Sequence, residues 1–263
     1  ESAHIRLSKT DYDSFILHDS DGSRLESVEP SEKRLFAMLD VADPAAAFRA
    51  YRATLTPRDA RRLDYRVSSS VEHEFAAKLS DLSRYAISEG ESQLGGDALV
   101  EGGMMRILDV VAKGLRAELG RVVERVTHRS DGVVIRTSRG TITADRCICT
   151  LPLGVLKHGD TKFDPPLPAA KLRAIGNLGM GLLNKTVMRF DRVFWDAEVD
   201  VLGYVPERRG EWVEWLNLHK PFGQKALIGF NAAAAADRME QLSDAALVAS
   251  ALRTLRRMYP ALG

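Results

Sequence analysis

The sequence has little of several features that would mark a class of protein at once. It contains two cysteines, Cys147 and Cys149, too few for a disulfide framework and without the nearby histidines of a zinc site, so no metal site is predicted. Their spacing places both on one face of a strand, and we expect buried, reduced thiols in a reducing intracellular compartment. No apolar run approaches the roughly 20 residues needed to cross a bilayer, and no signal peptide is visible.

An excess of charge of one sign is also missing. Lys and Arg number 37 against 36 Asp and Glu, so neither nucleic acid nor an anionic membrane is predicted as a partner. What is present is a chain of 263 residues that is 45% hydrophobic, enough for one large domain or two modest ones. The chain begins at Glu1 rather than Met and stops soon after a predicted helix, which we interpret as an internal piece of a longer protein.

Periodicity predicts a mixed α and β structure without strict alternation. Helices are expected to begin at Ser31, Pro44, Thr56 and Ser243, and apolar spacing predicts another over 104–118. Strands are expected at 122–126, 132–137, 141–143, 146–150, 185–190, 201–205, 212–218 and 226–230. The strand at 146–150 contains both cysteines and is expected to be buried.

Two stretches carry a family resemblance. TLPLGVLKHGDTKFDPPLP runs from Thr150 to Pro168, and GMGLLNKTVMRFDRVFW runs from Gly179 to Trp195. Together they resemble the signature of the flavin-containing amine oxidases, the family of polyamine oxidases and lysine-specific histone demethylases. The resemblance covers residues 80 to 263 well and the first part weakly. It implies an α/β (α+β mixed) fold, with part of an FAD-binding Rossmann-like domain and a substrate domain whose mixed sheet is flanked by helices.

The resemblance also implies how the chain is divided and where the cofactor binds. Residues 1–96 and 183–263 correspond to the two parts of the substrate-binding domain, and 97–182 to the middle of the FAD-binding domain. Lys185 matches a family lysine that lies near the flavin N5 atom, which makes it the predicted catalytic residue. The alternative is a surface lysine at the end of a strand. Thr150, Leu151 and Pro152, at the end of a predicted strand, would lie beside the cofactor. The backbone of Val123 would contact the adenine of FAD.

Predicted substrate contacts come from acidic and aromatic residues. Glu89, Glu91 and Asp97 stand before the flavin segment and would attract a cationic amine, although a solvated acidic loop is the commoner explanation for such a cluster. Trp215, with Trp195, Trp212 and Tyr204, could line an amine channel through cation–π contacts, or could pack in the core.

The implied reaction is FAD-dependent oxidation of a secondary amine, in which hydride transfer to flavin N5 gives an imine and, after reoxidation by oxygen, hydrogen peroxide. No G-x-G-x-x-G motif occurs in this chain, so we expect the chain alone to purify without flavin and to be inactive. The substrate is predicted to be a small cationic amine or a methylated lysine peptide.

Two alternatives stay open. One is a histone lysine demethylase of the same family, which would work in the nucleus, whereas a polyamine oxidase would be cytoplasmic or peroxisomal. The segment 31–84 contains prolines and no sustained heptads, so the long helical hairpin of the corepressor-binding demethylases is not expected. The other alternative is a non-catalytic scaffold that has lost its flavin.

Overall fold

The computed structural model describes residues 5–85 and 96–262 and divides into two compact units. One unit consists of Glu1–Arg106 together with Gly181–Gly263, and the other of Ile107–Met180. The second unit falls within the range 97–182 that the resemblance assigns to the flavin domain. That assignment stays a prediction.

The helices and strands follow the mixed pattern expected from the sequence. The α-helices are α1 (Glu32–Leu39), α2 (Pro44–Arg52), α3 (Pro57–Val67), α4 (His73–Phe75), α5 (Met105–Val111), α6 (Leu153–His158), α7 (Ala169–Asn177), α8 (His219–Phe222), α9 (Ala233–Met239) and α10 (Asp244–Met258). The strands are β1 (Leu7–Thr10), β2 (Phe15–His18), β3 (Arg24–Leu25), β4 (Asp97–Val100), β5 (Val123–Arg129), β6 (Gly132–Thr137), β7 (Gly140–Ala144), β8 (Lys162–Asp164), β9 (Leu183–Arg189), β10 (Val201–Tyr204), β11 (Glu214–Asn217) and β12 (Ala226–Ala232). A π-helical segment, Ser68–Glu72, joins α3 to α4.

The predicted helix starts are confirmed by side-chain caps. The oxygens of Ser31, Asp43, Thr56 and Ser243 each accept a hydrogen bond from the backbone N–H three residues further on. These bonds satisfy amide groups that have no partner inside the helix, and a side-chain cap of this kind stabilises a helix by about 1 kcal/mol.

A six-stranded mixed sheet organises the first unit. Its strand order is β3-β2-β10-β11-β12-β9, with β2 and β10 parallel and the other neighbours antiparallel. Because side chains alternate along a strand, the register defines two faces. The packed face carries Ile16, Leu202, Trp215, Leu227 and Met188, and the open face carries the row Leu17, Gly203, Glu214, Phe230 and Lys185.

The packed face forms the larger core with α10. Ala251, Leu255 and Met258 of this helix are buried in the same cluster as Trp215 and Leu202. A fully buried Leu or Met side chain stabilises the fold by about 1.5–3 kcal/mol, so this layer holds the sheet in register.

Helix α3 packs on the open face of the sheet through Tyr65. Tyr65 is buried with Leu17, Val205 and Val213. A Cβ atom at Gly203 would lie only 2.8 Å from the Tyr65 hydroxyl, so glycine at this position allows Tyr65 to approach the strand closely.

The second unit contains a four-stranded sheet of order β7-β6-β5-β8. Strands β5, β6 and β7 form the predicted meander, and β8 pairs with β5 in parallel. Residues 132–137 and 141–143 therefore lie in strands as predicted.

Two predictions in this region are wrong. Residues 146–150 form no strand, since no other strand in the described ranges pairs with them, and the apolar run is left without backbone partners of its own. Cys147 and Cys149 are consequently exposed rather than buried, and Ile148 between them is 90% exposed. The helix predicted over 104–118 ends at Val111.

Across residues 5–85 and 96–262, no helix combines the length and apolar character required to span a bilayer. Nor do His, Cys, Asp or Glu side chains in these ranges form a group of three or more that could hold a metal ion.

Candidate active site

A cavity of about 490 Å³ opens over the six-stranded sheet in the first unit. The open face of the sheet lines this cavity with Phe15, Val201, Glu214, Phe230 and Leu183. The helical segment 57–75 adds Tyr65 and His73 to the lining. Its acidic lining residues are Asp13, Glu32, Glu74, Asp97 and Glu214, and Arg66 is also in the lining. A cavity lined by carboxylates and aromatic rings is suited to an organic cation.

A hydrogen-bonded pair of side chains, His73 and Glu214, lies in this cavity. The Nδ1 atom of His73 is 2.7 Å from Oε2 of Glu214, and the two side chains are 10% and 28% exposed. Nδ1 must donate this bond, because a carboxylate oxygen can only accept. In the described part of the chain, the buried Nε2 atom of His73 has no hydrogen-bond partner. The histidine therefore fixes one oxygen of Glu214 and leaves the other available to a ligand.

Glu214 stands in a row of side chains with Phe230 and Lys185. Glu214 is opposite Phe230 across β11 and β12, and Phe230 is opposite Lys185 across β12 and β9. Directly opposite side chains on neighbouring strands share a face and lie close together. The row therefore presents an anion, an aromatic ring and a cation in succession along one line.

Lys185, the predicted catalytic residue, is exposed on this face. Among the residues that the structure describes, it forms neither an ion pair nor a side-chain hydrogen bond. The preceding residue Asn184 has a different function, since its side chain points to the packed face and donates a hydrogen bond of 2.9 Å to Glu240. This bond ties β9 to the residue that ends α9.

Two tyrosines in the cavity stay protonated at neutral pH. Burial raises the pKa of Tyr65. Burial and then the negative charges of Asp97, Glu214 and Asp200 raise the pKa of Tyr12. Both phenols are consequently neutral hydrogen-bonding groups and add no charge to the cavity.

The predicted cofactor contacts lie in the second unit. Val123 opens β5, and its carbonyl accepts a hydrogen bond of 2.9 Å from Thr161. Thr150 and Leu151 lie in an irregular segment that leads to α6, and Pro152 is the residue that caps this helix. The prediction that they end a buried strand is wrong, and their place beside the cofactor stays a prediction.

The predicted substrate contacts have different outcomes. Glu89 and Glu91 lie outside the described residues. Trp215 lies on the packed face with no measurable exposure, stacked on Trp212 with ring centroids 5.1 Å apart. Trp195 and Tyr204 are in the same core cluster. The structure therefore places these rings in the core, the alternative to a channel, and not on the cavity wall.

His73 and Glu214 were not among the residues predicted from the sequence. Glu214 does carry a signal, because it interrupts the otherwise apolar run Trp212 to Leu216, and a carboxylate within a central strand needs a partner. His73 has no comparable signal: it is 141 positions away from Glu214 in the sequence.

Comparisons with known proteins identify the family of this chain. The model of the family described as flavin containing amine oxidoreductase matches residues 29–263. Lysine-specific histone demethylase 1 homolog 1 of Oryza sativa subsp. japonica is 36% identical over 219 residues, covering 81% of this chain and 26% of that protein. Polyamine oxidase 2 of Arabidopsis thaliana is 37% identical over 191 residues, covering 72% of this chain and 39% of that protein.

The fold is similar to that of putrescine oxidase. The wild-type enzyme bound to putrescine aligns with a TM-score of 0.66 at 18% identity, over 97% of this chain and 65% of that one. A double mutant of the same enzyme aligns with a TM-score of 0.69 at 19% identity. The chain spans from about a quarter to two fifths of the length of the two curated relatives. With a family model that covers most of its residues, this chain belongs to the flavin-containing amine oxidoreductases.

Proposed function

We propose that the protein is an FAD-dependent oxidase of secondary amines, of the polyamine oxidase type. The observation that carries this proposal is the row on the open face, where Glu214, Phe230 and Lys185 follow one another beside an acidic cavity. A cation is attracted by the carboxylates, its alkyl chain packs on aromatic rings, and the family lysine stands at the end of the row.

The residues present fit a flavin at the Lys185 end of the row. An exposed ammonium group without a protein partner in the described ranges is free to hold a water molecule or to bond a ring nitrogen. In the second unit, Val123, Thr150, Leu151 and Pro152 are the residues proposed to hold FAD. FAD, when bound, accepts the hydride released from the C–H bond next to the amine nitrogen.

The side chains of the first unit then have separate roles. The acidic lining draws the protonated amine into the cavity. Phe230 and the half-buried Leu183 exclude water from the alkyl chain, and Lys185 holds the water or proton needed at the reacting end. The imine that results is released as aldehyde and amine after hydrolysis.

Demethylation of histone lysine is the alternative activity. The identities to the demethylase homolog and to the polyamine oxidase are nearly equal, 36% and 37%. One observation favours the polyamine. The α-helices within 31–75 are at most 11 residues long, and even the continuous helical run 57–75, which includes the π-helical segment, is too short to form a long hairpin.

The test compares substrates and one matched pair of variants in the full-length protein. Oxidation of spermine or N-acetylated spermine is expected to exceed that of a methylated histone H3 peptide, with bound flavin in the purified protein. Lys185→Met is expected to slow turnover on the order of 100-fold, the usual size of a proton-handling contribution, whereas Lys171→Met, on an exposed face of α7, leaves it unchanged. Full-length protein without flavin would show a non-catalytic scaffold and refute the proposal.

A further inference from the structure

Another cavity of the first unit, of about 590 Å³, lies against helix α10. One face of this helix lines it with residues at helical spacing, Ala246, Ala249, Ser250 and Arg253. Arg208, Glu211 and Arg238 are also in the lining. We call this space the arginine cavity. It shares no lining residue with the acidic cavity over the sheet.

The arginine cavity contains more positive than negative charge. The Nε atoms of Arg208 and Arg238 are both 3.2 Å from the same oxygen, Oε1 of Glu211. Arg253 is exposed and, in the part of the chain that the structure describes, forms neither an ion pair nor a side-chain hydrogen bond. Three guanidinium groups and one carboxylate leave a net charge of +2 in the lining. Such an excess attracts an anion.

Ser250 adds a hydrogen-bond donor to this lining. The residue is only 8% exposed, and its Oγ accepts a hydrogen bond of 3.0 Å from Nε1 of Trp212. Because an indole N–H can only donate, this bond leaves the hydroxyl hydrogen of Ser250 without an acceptor among the described residues. Buried polar groups in folded proteins are nearly always paired. A donor left over in a cavity wall therefore points to a ligand that supplies an acceptor atom.

A dianionic phosphate monoester matches both features. At neutral pH it carries a charge of about −1.5 to −2 and offers several acceptor oxygens, whereas a carboxylate would supply a single charge. Guanidinium groups bond phosphate with two parallel N–H donors. The lining also contains Met239 and Leu242, the latter 41% exposed, so the group esterified to the phosphate should be apolar.

We propose that the arginine cavity binds a small phosphate monoester with an apolar ester group. The three guanidinium groups and the Ser250 hydroxyl hold the phosphate, and Met239 and Leu242 contact the ester group. Cavities of roughly 300–1,000 Å³ are the usual size for small-molecule ligands, and the arginine cavity lies within that range. The inference goes beyond the proposed amine oxidation and does not depend on it.

The probes are phenyl phosphate, phenyl sulfate and inorganic phosphate. Each is titrated by calorimetry into the full-length protein as purified, in phosphate-free buffer at about pH 8, where the monoester is fully dianionic. Phenyl sulfate has nearly the same shape but one negative charge, and inorganic phosphate lacks the apolar group. Phenyl phosphate is expected to bind about 10- to 100-fold more tightly than phenyl sulfate, the usual effect of a hydrogen bond to a charged group. Inorganic phosphate is expected to bind more weakly than phenyl phosphate.

Two variants and a matched control locate the site. Arg253→Gln removes one charge from the lining and is expected to weaken phenyl phosphate binding about 10- to 100-fold. Glu211→Gln removes the competing negative charge but keeps an oxygen that the two arginines can bond, so binding is expected to strengthen several-fold. Arg256→Gln removes the same charge from the same helix, outside the lining, and is expected to leave the affinity unchanged.

Several results would overturn the inference. Wild-type protein that shows no saturable binding of phenyl phosphate, or equal affinity for phenyl sulfate, has no dianion site. Equal losses in Arg253→Gln and Arg256→Gln would show general attraction to a basic surface, and weaker binding by Glu211→Gln would refute the charge argument. Should Glu211→Gln fail to fold, the two arginine variants decide, because both side chains are exposed. A phosphotyrosine peptide that binds more tightly than phenyl phosphate would show that the ligand is a protein and refute the small-molecule site.

Discussion

Asn217 is the position where we expect a single substitution to destabilise the first unit most. Its side chain is completely buried at the end of β11. The amide nitrogen donates to the carbonyls of Val199 at 2.8 Å and Ala197 at 3.0 Å. The amide oxygen accepts from Trp195 Nε1 at 2.8 Å and from the backbone N–H of His219 at 2.9 Å. The side chain thus joins the loop before β10 to the start of α8.

The magnitude follows from these four bonds. Asn217→Ala leaves two donors and two acceptors without their partner, and a net contribution of about 1 kcal/mol for each bond sums to roughly 4 kcal/mol. Such a loss is a large part of the roughly 5–15 kcal/mol by which a domain is stable. The free energy of unfolding should be measured in urea on the full-length protein, with intrinsic tryptophan fluorescence as the signal.

Asn184→Ala is the matched control. It removes the same amide from the same sheet, but Asn184 makes one side-chain bond, to the exposed Glu240, so the expected loss is below about 1 kcal/mol. Equal losses in the two variants would refute the reasoning, because they would mean that the buried network contributes nothing beyond a single surface bond.

Two further predictions concern stability. Gly229→Ala is expected to cost about 1–3 kcal/mol by overpacking, because the new Cβ would lie 2.7 Å from the Trp215 ring; a urea midpoint within error of the wild type would contradict this. Burial lowers the pKa of His18 in the folded protein. Below the pKa of about 6.5 that the histidine has in the unfolded chain, the unfolded state therefore binds more protons than the folded state. The free energy of unfolding consequently falls as the pH drops from that value toward the folded pKa. His18→Gln should flatten the urea midpoint measured across that pH range, and an unchanged slope would show that His18 does not cause it.

Local signals in the sequence predicted much of the first unit. The caps at Ser31 and Ser243 are satisfied by backbone N–H groups three residues away, so they can be recognised without a structure. The strand predicted at 146–150 had the same kind of local signal but has no neighbour to pair with in the described chain. A strand depends on its partners, and a pattern of apolar residues does not supply them.

The candidate site was predictable only in part. Lys185 was found because it belongs to a contiguous motif. His73 and Glu214 meet through the folding of α4 onto β11, a contact between distant segments that no local pattern records. The tryptophans show the reverse problem, since an aromatic residue in a strand predicts burial without indicating which side of the sheet it faces.

Strand β11 explains how one short segment serves both packing and binding. Glu214 and Leu216 point to the open face, while Trp215 and Asn217 point to the packed face. A slip of one residue would bury the carboxylate and expose the indole, so the packed face fixes the direction of Glu214 as firmly as His73 does. Loosening Asn217 should therefore raise the KM for spermine as well as lower stability, even though Asn217 lies on the face away from the cavity. If Asn217→Ala lowered stability but left the KM for spermine unchanged, then packing on the far face would not be what fixes the direction of the carboxylate.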